Sequence, residues 1–403
     1  MRILIATTHR DLVGGVERYL QTLMPGIQNR GHEISLLHEY QTNGTADTID
    51  APARPLSSWC LAELGENAAL TRVAQWKPDI VYSHGLKAMG MEGALLDSYR
   101  TVLYAHNYYG TCPTGQKCYS SPAARPCARR SGPMCLVLHY PRRCGGLNPL
   151  TMLRMYQQNS RFQRRLPDYA AILVASRHMF REYEQHGVSA RKLHLVSLPN
   201  SDGAEPQPES RAGQGPGTRL LFVGRLTKVK GGSNLIEAIP RAAAKLGRPL
   251  TLMVAGDGPE RQGLENLAQR LDVRATFAGW VDAERKRDLM RDADLLVVPS
   301  LWPEPFGLVG VEAGSLGLPA AGYAVGGVPD WLIPGRSGEL APGEPPTVEG
   351  LADAIVRAIA DPAHYAKLCR GAWETAAKLT LGSHLADLEP ILESAVREGS
   401  VHV

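Results

Sequence analysis

The sequence has no run of apolar residues long enough to span a bilayer. Its opening run, Met1–Thr7, is too short for the apolar region of a secretory signal and reads as a first β-strand. The protein is therefore expected in the cytoplasm, where disulfides are disfavoured. There is no low-complexity tract and no short-period repeat, and the composition is that of a soluble globular protein. None of the seven cysteines forms a C-x-x-C pair, so no standard zinc knuckle is encoded. A complete G-x-G-x-x-G is missing too. The most local absence is of acid. From Ser98 to Pro167 there is neither aspartate nor glutamate, while the same window holds eleven arginines and lysines. The net charge is +4, so removing those eleven leaves the rest of the chain at −7. One basic face on a mildly acidic body implies an anionic partner at one place, and no nucleic acid.

What is present is a strand–helix alternation, written twice. At 403 residues the chain is too long for one ordinary core, and two domains of about 200 residues are expected. Met1–Thr8 is a strand, a loop ends in Gly14-Gly15, and Val16–Met24 has helical spacing that Pro25 should end or kink. Ile34–Leu37, Asp79–His84, Thr101–His106, Ala170–Ala175 and Leu193–Val196 read as further strands. Two of them end in a histidine, at the edge where open α/β sheets bind ligands. Pro199–Gly217 is a linker by composition. The alternation resumes at Arg219–Val223, Leu250–Ala255, Ala275–Phe277, Leu295–Val298 and Leu318–Ala321, and a helical tail starts near Leu351. The pattern predicts an α/β protein of two doubly wound parallel sheets. Residues 1–199 form the first domain, with an insertion at about 107–150, residues 200–375 the second, and 376–403 a terminal helix.

Polar residues of the second half fall where its strands end. Gly224-Arg225 follows one strand, Lys230 comes five residues later, and Gly256-Asp257-Gly258 follows the next. Pro299–Glu312 then reads P-S-L-W-P-E-P-F-G-L-V-G-V-E. Glu304 sits in a loop between two prolines, and Glu312 lies in the first turns of a helix opened by Gly307. The backbone N–H groups of Phe306, Gly307 and Leu308 make an anion site at that helix start. A carboxylate grips hydroxyls and a helix end grips phosphate, which suits a sugar attached to a diphosphate. Arg225 and Lys230 can neutralise a diphosphate leaving group. Taken singly, each of these residues reads as a surface charge. Asp292-Ala293-Asp294 is formally a D-x-D, but it falls at a helix–strand junction on the opposite sheet edge and reads as structural.

The motifs G-R-L-x-x-x-K-G (Gly224–Gly231), A-G-D-G-P (Ala255–Pro259), V-V-P-S (Val297–Ser300) and E-P-F-G-L-V-x-V-E (Glu304–Glu312) stand in one order. With G-G-V-E-R (Gly14–Arg18) and His106, the chain resembles the family-4 retaining glycosyltransferases of the GT-B fold. The resemblance implies that Arg225 and Lys230 bind the nucleotide diphosphate and that Glu312 holds the ribose. It implies that Glu304, with the N–H groups of Phe306, Gly307 and Leu308, holds the donor sugar. Gly14, Gly15, Gly224 and Gly256 would belong to the donor site, and His106 would stand between donor and acceptor. The family transfers a hexosyl group with retention and uses no catalytic metal. Its usual P-N-G after the first domain is Pro199-Asn200-Ser201 here, which puts the linker turn in doubt. A nucleotide-sugar epimerase or hydrolase of the same fold, and a non-catalytic glycan- or lipid-binding protein, are the rival readings.

Five cysteines lie in the insertion after His106: Cys112, Cys118, Cys127, Cys135 and Cys144. A Pro- and Gly-rich loop has little core of its own, so clustered thiols suggest a structural zinc. Cys112, Cys127, Cys135 and Cys144 are the favoured ligands, with Cys118 spare and His139 a substitute. Unpaired thiols and disulfides are the alternatives. The insertion shares its window with Arg125, Arg129, Arg130, Arg142 and Arg143, which are expected to bind an anionic glycan or lipid-linked acceptor. Peripheral contact with anionic lipid at the inner face of the membrane, or a merely solvated basic face, would use the same charges.

Overall fold

The computed structural model describes residues 1–41, 48–49, 56–200 and 215–399. The strands of the first domain are β1 (Arg2–His9), β2 (Glu33–Tyr40), β3 (Ser57–Cys60), β4 (Ile80–Ser83) and β5 (Thr101–Ala105). They are followed by the two-residue β6 (Cys118–Tyr119) and β7 (Arg125–Pro126), then β8 (Ala171–Val174) and β9 (Leu193–Leu195). All but β6 and β7 form one parallel sheet in the order β3-β2-β1-β4-β5-β8-β9. The second domain holds β10 (Arg219–Val223), β11 (Thr251–Ala255), β12 (Arg274–Gly279), β13 (Leu295–Val298), β14 (Ala320–Tyr323) and β15 (Gly338–Ala341). Their order is β12-β11-β10-β13-β14-β15, again all parallel. The order turns around at β1/β4 in one sheet and at β10/β13 in the other, and a crevice opens outside such reversals. The central strands β4, β5, β8, β13 and β14 are buried along their whole length, as sheets covered on both faces require.

One expectation is narrowed and one needs correction. Of the two outcomes left open at Pro25, the first helix does not end there: it runs Gly15–Asn29 with the proline inside it. The apolar face of Leu20, Leu23, Met24 and Ile27 is fully covered, so packing outweighs the hydrogen bond lost at the proline. Gly26, the next residue, lies against Leu381 and Leu385 of the last helix, where a Cβ would come within 2.8 Å of Leu385. The second sheet also has a strand, β15, beyond the five expected. Ser201 and most of the expected linker lie outside the described residues.

The last helix, Leu381–Gly399, belongs to the second half of the chain but packs on the first domain, against its first helix and strands β4 and β5. Glu389 meets Arg30 at 2.5 Å and His32 at 3.2 Å. Asp294 accepts from the Arg219 backbone N–H at 2.9 Å and pairs with the Arg219 guanidinium at 3.2 Å, which bears out its structural reading.

Candidate functional site

Strand ends from both domains line a cleft of about 810 Å³. The second domain contributes Gly224, Arg225 and the 3-10 turn Lys228–Lys230 after β10, and Pro299–Ser300 after β13. The helix Leu308–Ser315 presents its start and Glu312 to the same space. Gly15 and Val16 enter from the first domain after β1, His106 after β5, and Gln116 from the insertion. Two positions need glycine for local reasons. Gly231 has φ +71, and a Cβ there would sit 1.8 Å from the Pro299 carbonyl oxygen. This close approach holds the Lys230 turn against the end of β13, where the Leu301 N–H also donates to the Val229 carbonyl at 2.8 Å. Gly307, φ +91, is the N-cap of the short helix and turns the chain from the Glu304 loop into it.

Both glutamates at the cleft are paired with lysines. Lys230 Nζ lies 2.6 Å from Glu304 Oε1 and 5.1 Å from the centre of the Trp302 ring. The Ser300 hydroxyl donates to the same Glu304 oxygen at 2.5 Å. Glu304 is only 7% exposed, so its ion pair is held where water screens it weakly. Lys286 Nζ meets Glu312 Oε2 at 2.7 Å on the other side of the helix start. A ligand carrying phosphate and hydroxyls can take over both pairs, with phosphate replacing the carboxylate at the lysine and hydroxyls replacing the lysine at the carboxylate.

Behind the cleft lies a buried cluster of histidine and tyrosine. His106 Nε2 and His84 Nδ1 are 2.9 Å apart, one donating to the other. The Tyr19 hydroxyl lies 2.8 Å from both the Tyr82 hydroxyl and His384 Nε2. His384 Nδ1 donates to the Ser197 carbonyl at 2.8 Å. Burial pushes the His106 imidazole down to about 3, helped by the charge His384 would carry, so His106 is neutral at physiological pH. Burial also lowers His84 and His384. His106 borders a second cavity, of about 370 Å³, entirely within the first domain. Lys87, Asn107, Tyr109, Gln158 and Asn159 join the two histidines in its polar lining, which includes no carboxylate.

The cleft gathers Gly15, His106, Gly224, Arg225, Lys230, Glu304, Phe306, Gly307, Leu308 and Glu312, as the motif order led one to expect. Gly14 and Gly256 do not line it. Gly14 is the N-cap of the first helix. Gly256 supports the site from behind, since a Cβ there would stand 2.0 Å from the Gly224 carbonyl oxygen. The five arginines assigned to an acceptor line neither the cleft nor the His106 cavity. Arg125 and Arg142 lie over the Tyr119 ring, Arg129 borders the cysteine cavity, and Arg130 and Arg143 are exposed on the insertion. Sequence places charge along a chain without saying which face of a loop carries it. Lys286, Trp302 and Gln116 were missed at the cleft. Trp302 lay inside the quoted loop and its ring gave a signal, whereas Lys286 is one lysine in a highly charged helix.

The insertion is pinned by a buried ion pair, Lys117 Nζ to Glu182 Oε2 at 2.8 Å. Its five sulfurs and His139 line one cavity of about 40 Å³. All seven cysteines are free thiols. Burial pushes Cys118 and Cys144 up to about 12, and neighbouring thiols add to the shift. Among the described residues, no three His, Cys, Asp or Glu side chains are grouped so as to hold a metal ion.

Two family models match the chain. One, described as Glycosyltransferase Family 4, matches residues 13–199, and one described as Glycosyl transferases group 1 matches residues 206–375. The glycogen synthase of Mycobacterium tuberculosis is 35% identical over 192 residues, 45% of this chain and 45% of the relative. A D-inositol 3-phosphate glycosyltransferase of Arthrobacter sp. (strain FB24) is 25% identical over 415 residues, 94% of this chain and 92% of the relative. The first five curated relatives are matched over half of their own length or less. Among solved structures, Anabaena Alr3699/HepE in complex with UDP and glucose has a TM-score of 0.68 at 19% identity, covering 98% of this chain and all of its own. Sucrose-phosphate synthase from Thermosynechococcus elongatus has a TM-score of 0.67 at 22% identity, with 100% and 98% covered.

Proposed function

Since the chain belongs to the family-4, group 1 glycosyltransferases and has their GT-B fold, we propose that it transfers a hexosyl group from a nucleotide-diphosphate sugar to a glycan or lipid-linked glycan, with retention and without a catalytic metal. The observation that carries this reading is the Lys230–Glu304–Ser300 cluster, set across the cleft from the neutral His106. The diphosphate replaces Glu304 as the partner of Lys230, joined by Arg225 and the N–H groups of Phe306, Gly307 and Leu308. Glu304, released, accepts from hydroxyls of the sugar. Glu312 accepts from the ribose, with Lys286 beside it. As the sugar–phosphate bond breaks, negative charge grows on the diphosphate, and Lys230 and Arg225 stabilise it where it appears. No enzyme carboxylate attacks the sugar. The acceptor hydroxyl comes from the His106 side and gives its proton to a leaving phosphate oxygen. A solved neighbour in complex with UDP and glucose supports a nucleotide-sugar donor for this site.

The test is a set of uridine, guanosine and adenosine diphosphate sugars, read by thermal shift and by nucleotide release. One of them should raise the unfolding midpoint, because a ligand that binds only the native state stabilises it. Its release of nucleotide should depend on an added acceptor. Equal turnover without acceptor would point instead to an epimerase or hydrolase of this fold, and no shift with any donor would point to a non-catalytic binding protein.

A structural zinc in the insertion belongs to the same proposal. The Cys118 thiol donates to the carbonyl oxygens of Tyr119 and Arg125, at 3.1 and 3.2 Å, whereas Cys112 Sγ accepts from the Lys117 N–H at 3.4 Å, a contact that a thiolate ligand can keep. Cys112, Cys127, Cys135 and Cys144 remain on the cavity, and their softness suits zinc. They would close on the ion and tie a lobe whose helix Met134–Leu138 buries no side chain. Elemental analysis should find about one zinc per chain. Five readily alkylated thiols and no metal would remove it.

A further inference from the structure

Half of the large apolar side chains exposed among the described residues lie in one short stretch. Of fourteen, seven fall between Tyr109 and Leu153. Six of those are consecutive along the end of the insertion and the start of the next helix: Met134, Val137, Tyr140, Leu147, Leu150 and Leu153. Val137 and Leu150 are each 66% exposed, and Leu147 74%. The segment is folded. His139 is buried and its Nε2 meets the Gly146 carbonyl oxygen at 2.9 Å, and Asn148 caps the helix Pro149–Arg165 by accepting from Leu150 and Thr151. These apolar tips are held out by a shaped lobe.

Charge surrounds them. Arg154, Arg161 and Arg164 share the outward face of the helix with Leu150 and Leu153, lying four, eleven and fourteen residues after Leu150. Arg142 and Arg143 stand between Tyr140 and Leu147. None of the five pairs with a carboxylate among the described residues, in a window that has no carboxylate of its own. An apolar tip ringed by unpaired arginine is the makeup of an interfacial membrane anchor.

We propose that this face docks on a bilayer of anionic phospholipid, with the six apolar side chains at the acyl boundary and the arginines at the headgroups. The opposite face of the same helix, with Met155, Gln158, Asn159 and Phe162, lines the His106 cavity. Docking therefore sets that cavity beside the headgroup layer, where an acceptor anchored in the same leaflet presents its polar end to His106. That last step rests on the transferase reading, and the docking does not.

The experiment is co-sedimentation of the full chain with vesicles of phosphatidylcholine alone, or with about a third phosphatidylglycerol. Binding should require the anionic lipid and fall steeply with added salt. The variant L147S/L150S/L153S, and separately R154E/R161E/R164E, should each lose at least tenfold in partitioning while keeping the donor-induced thermal shift. No sedimentation with either vesicle overturns the proposal. So does equal binding to neutral vesicles, which would make the face merely sticky. A concentration-dependent dimer that the leucine variant abolishes would assign the face to a second copy of the chain and overturn it as well. Donor binding is read separately, so failure at the membrane leaves the transferase reading intact, and failure of donor binding leaves the membrane result intact.

Discussion

Lys230→Ala should lower transfer by about two to three orders of magnitude at saturating donor, the range seen when one preorganised donor to a developing negative charge is removed. The lysine is the cation nearest the Glu304 loop, at 2.6 Å, and the Trp302 ring fixes its head. Losing it also leaves Glu304 buried with only Ser300 as a partner, a separate cost to stability that needs its own control. The double variant K230A/E304A supplies it. Its thermal midpoint should recover toward the parent, because no carboxylate is left unpaired, while its activity stays low. Lys230→Arg should restore charge but not full rate, since a forked guanidinium does not fit a site built for a point charge against a ring. If K230A transfers within threefold of the parent, the donor site lies elsewhere.

Stability should fall as the pH drops from about 6.5 toward 3, and His106→Gln should reduce the slope. The sign follows from the direction of the shift. The native state holds His106 at about 3, whereas the unfolded chain protonates it near 6.5. Above pH 6.5 neither state binds the proton, so the stability is complete. Below it the unfolded chain binds more protons, and stability is lost down to the native value. One such histidine changes stability by about 1.4 kcal/mol per pH unit, so His106 alone should cost roughly 2 kcal/mol at pH 5. His84 and His384 shift in the same direction and add to the loss. Burial raises Glu39, Glu92 and Glu182, and these act oppositely. Comparing H106Q with the parent cancels them. Denaturant midpoints at pH 5 and 7 check the difference, and equal slopes in the two proteins would refute the buried neutral state.

The residues of the candidate cleft were legible because they are local in sequence. A glycine that must turn the chain, a lysine five residues past an arginine and two glutamates around a helix start are read from a few adjacent letters, and parallel strands bring such segments to one edge. The histidine cluster was half legible. His84 and His106 both end strands, so their edge could be named, but their contact, and the approach of His384 from 278 residues after His106, depend on packing. Pro25 left two outcomes open for the same reason: that the helix continues through it depends on packing, including a helix that arrives from residues 381–399. The insertion was read correctly as basic and cysteine-rich. Which way its arginines face was not legible, because irregular chain has no periodicity from which to tell inside from outside; they line neither the cleft nor the His106 cavity.

The closing helix sets an order on synthesis. Residues 381–399 cover the first helix and the strands β4 and β5, yet they leave the ribosome after the whole second sheet has been made. Some 180 residues separate them from the end of the first domain, and at about 5–20 residues per second that is a wait of roughly 10–40 s. During that interval Tyr19 lacks His384, and the apolar face of the first helix lacks Leu381 and Leu385. The second domain can close around its own sheet first. The nascent first domain is thus the part that needs shielding while the chain is made, and a stop ahead of Leu381 would leave a folded second domain tethered to an unfinished first one.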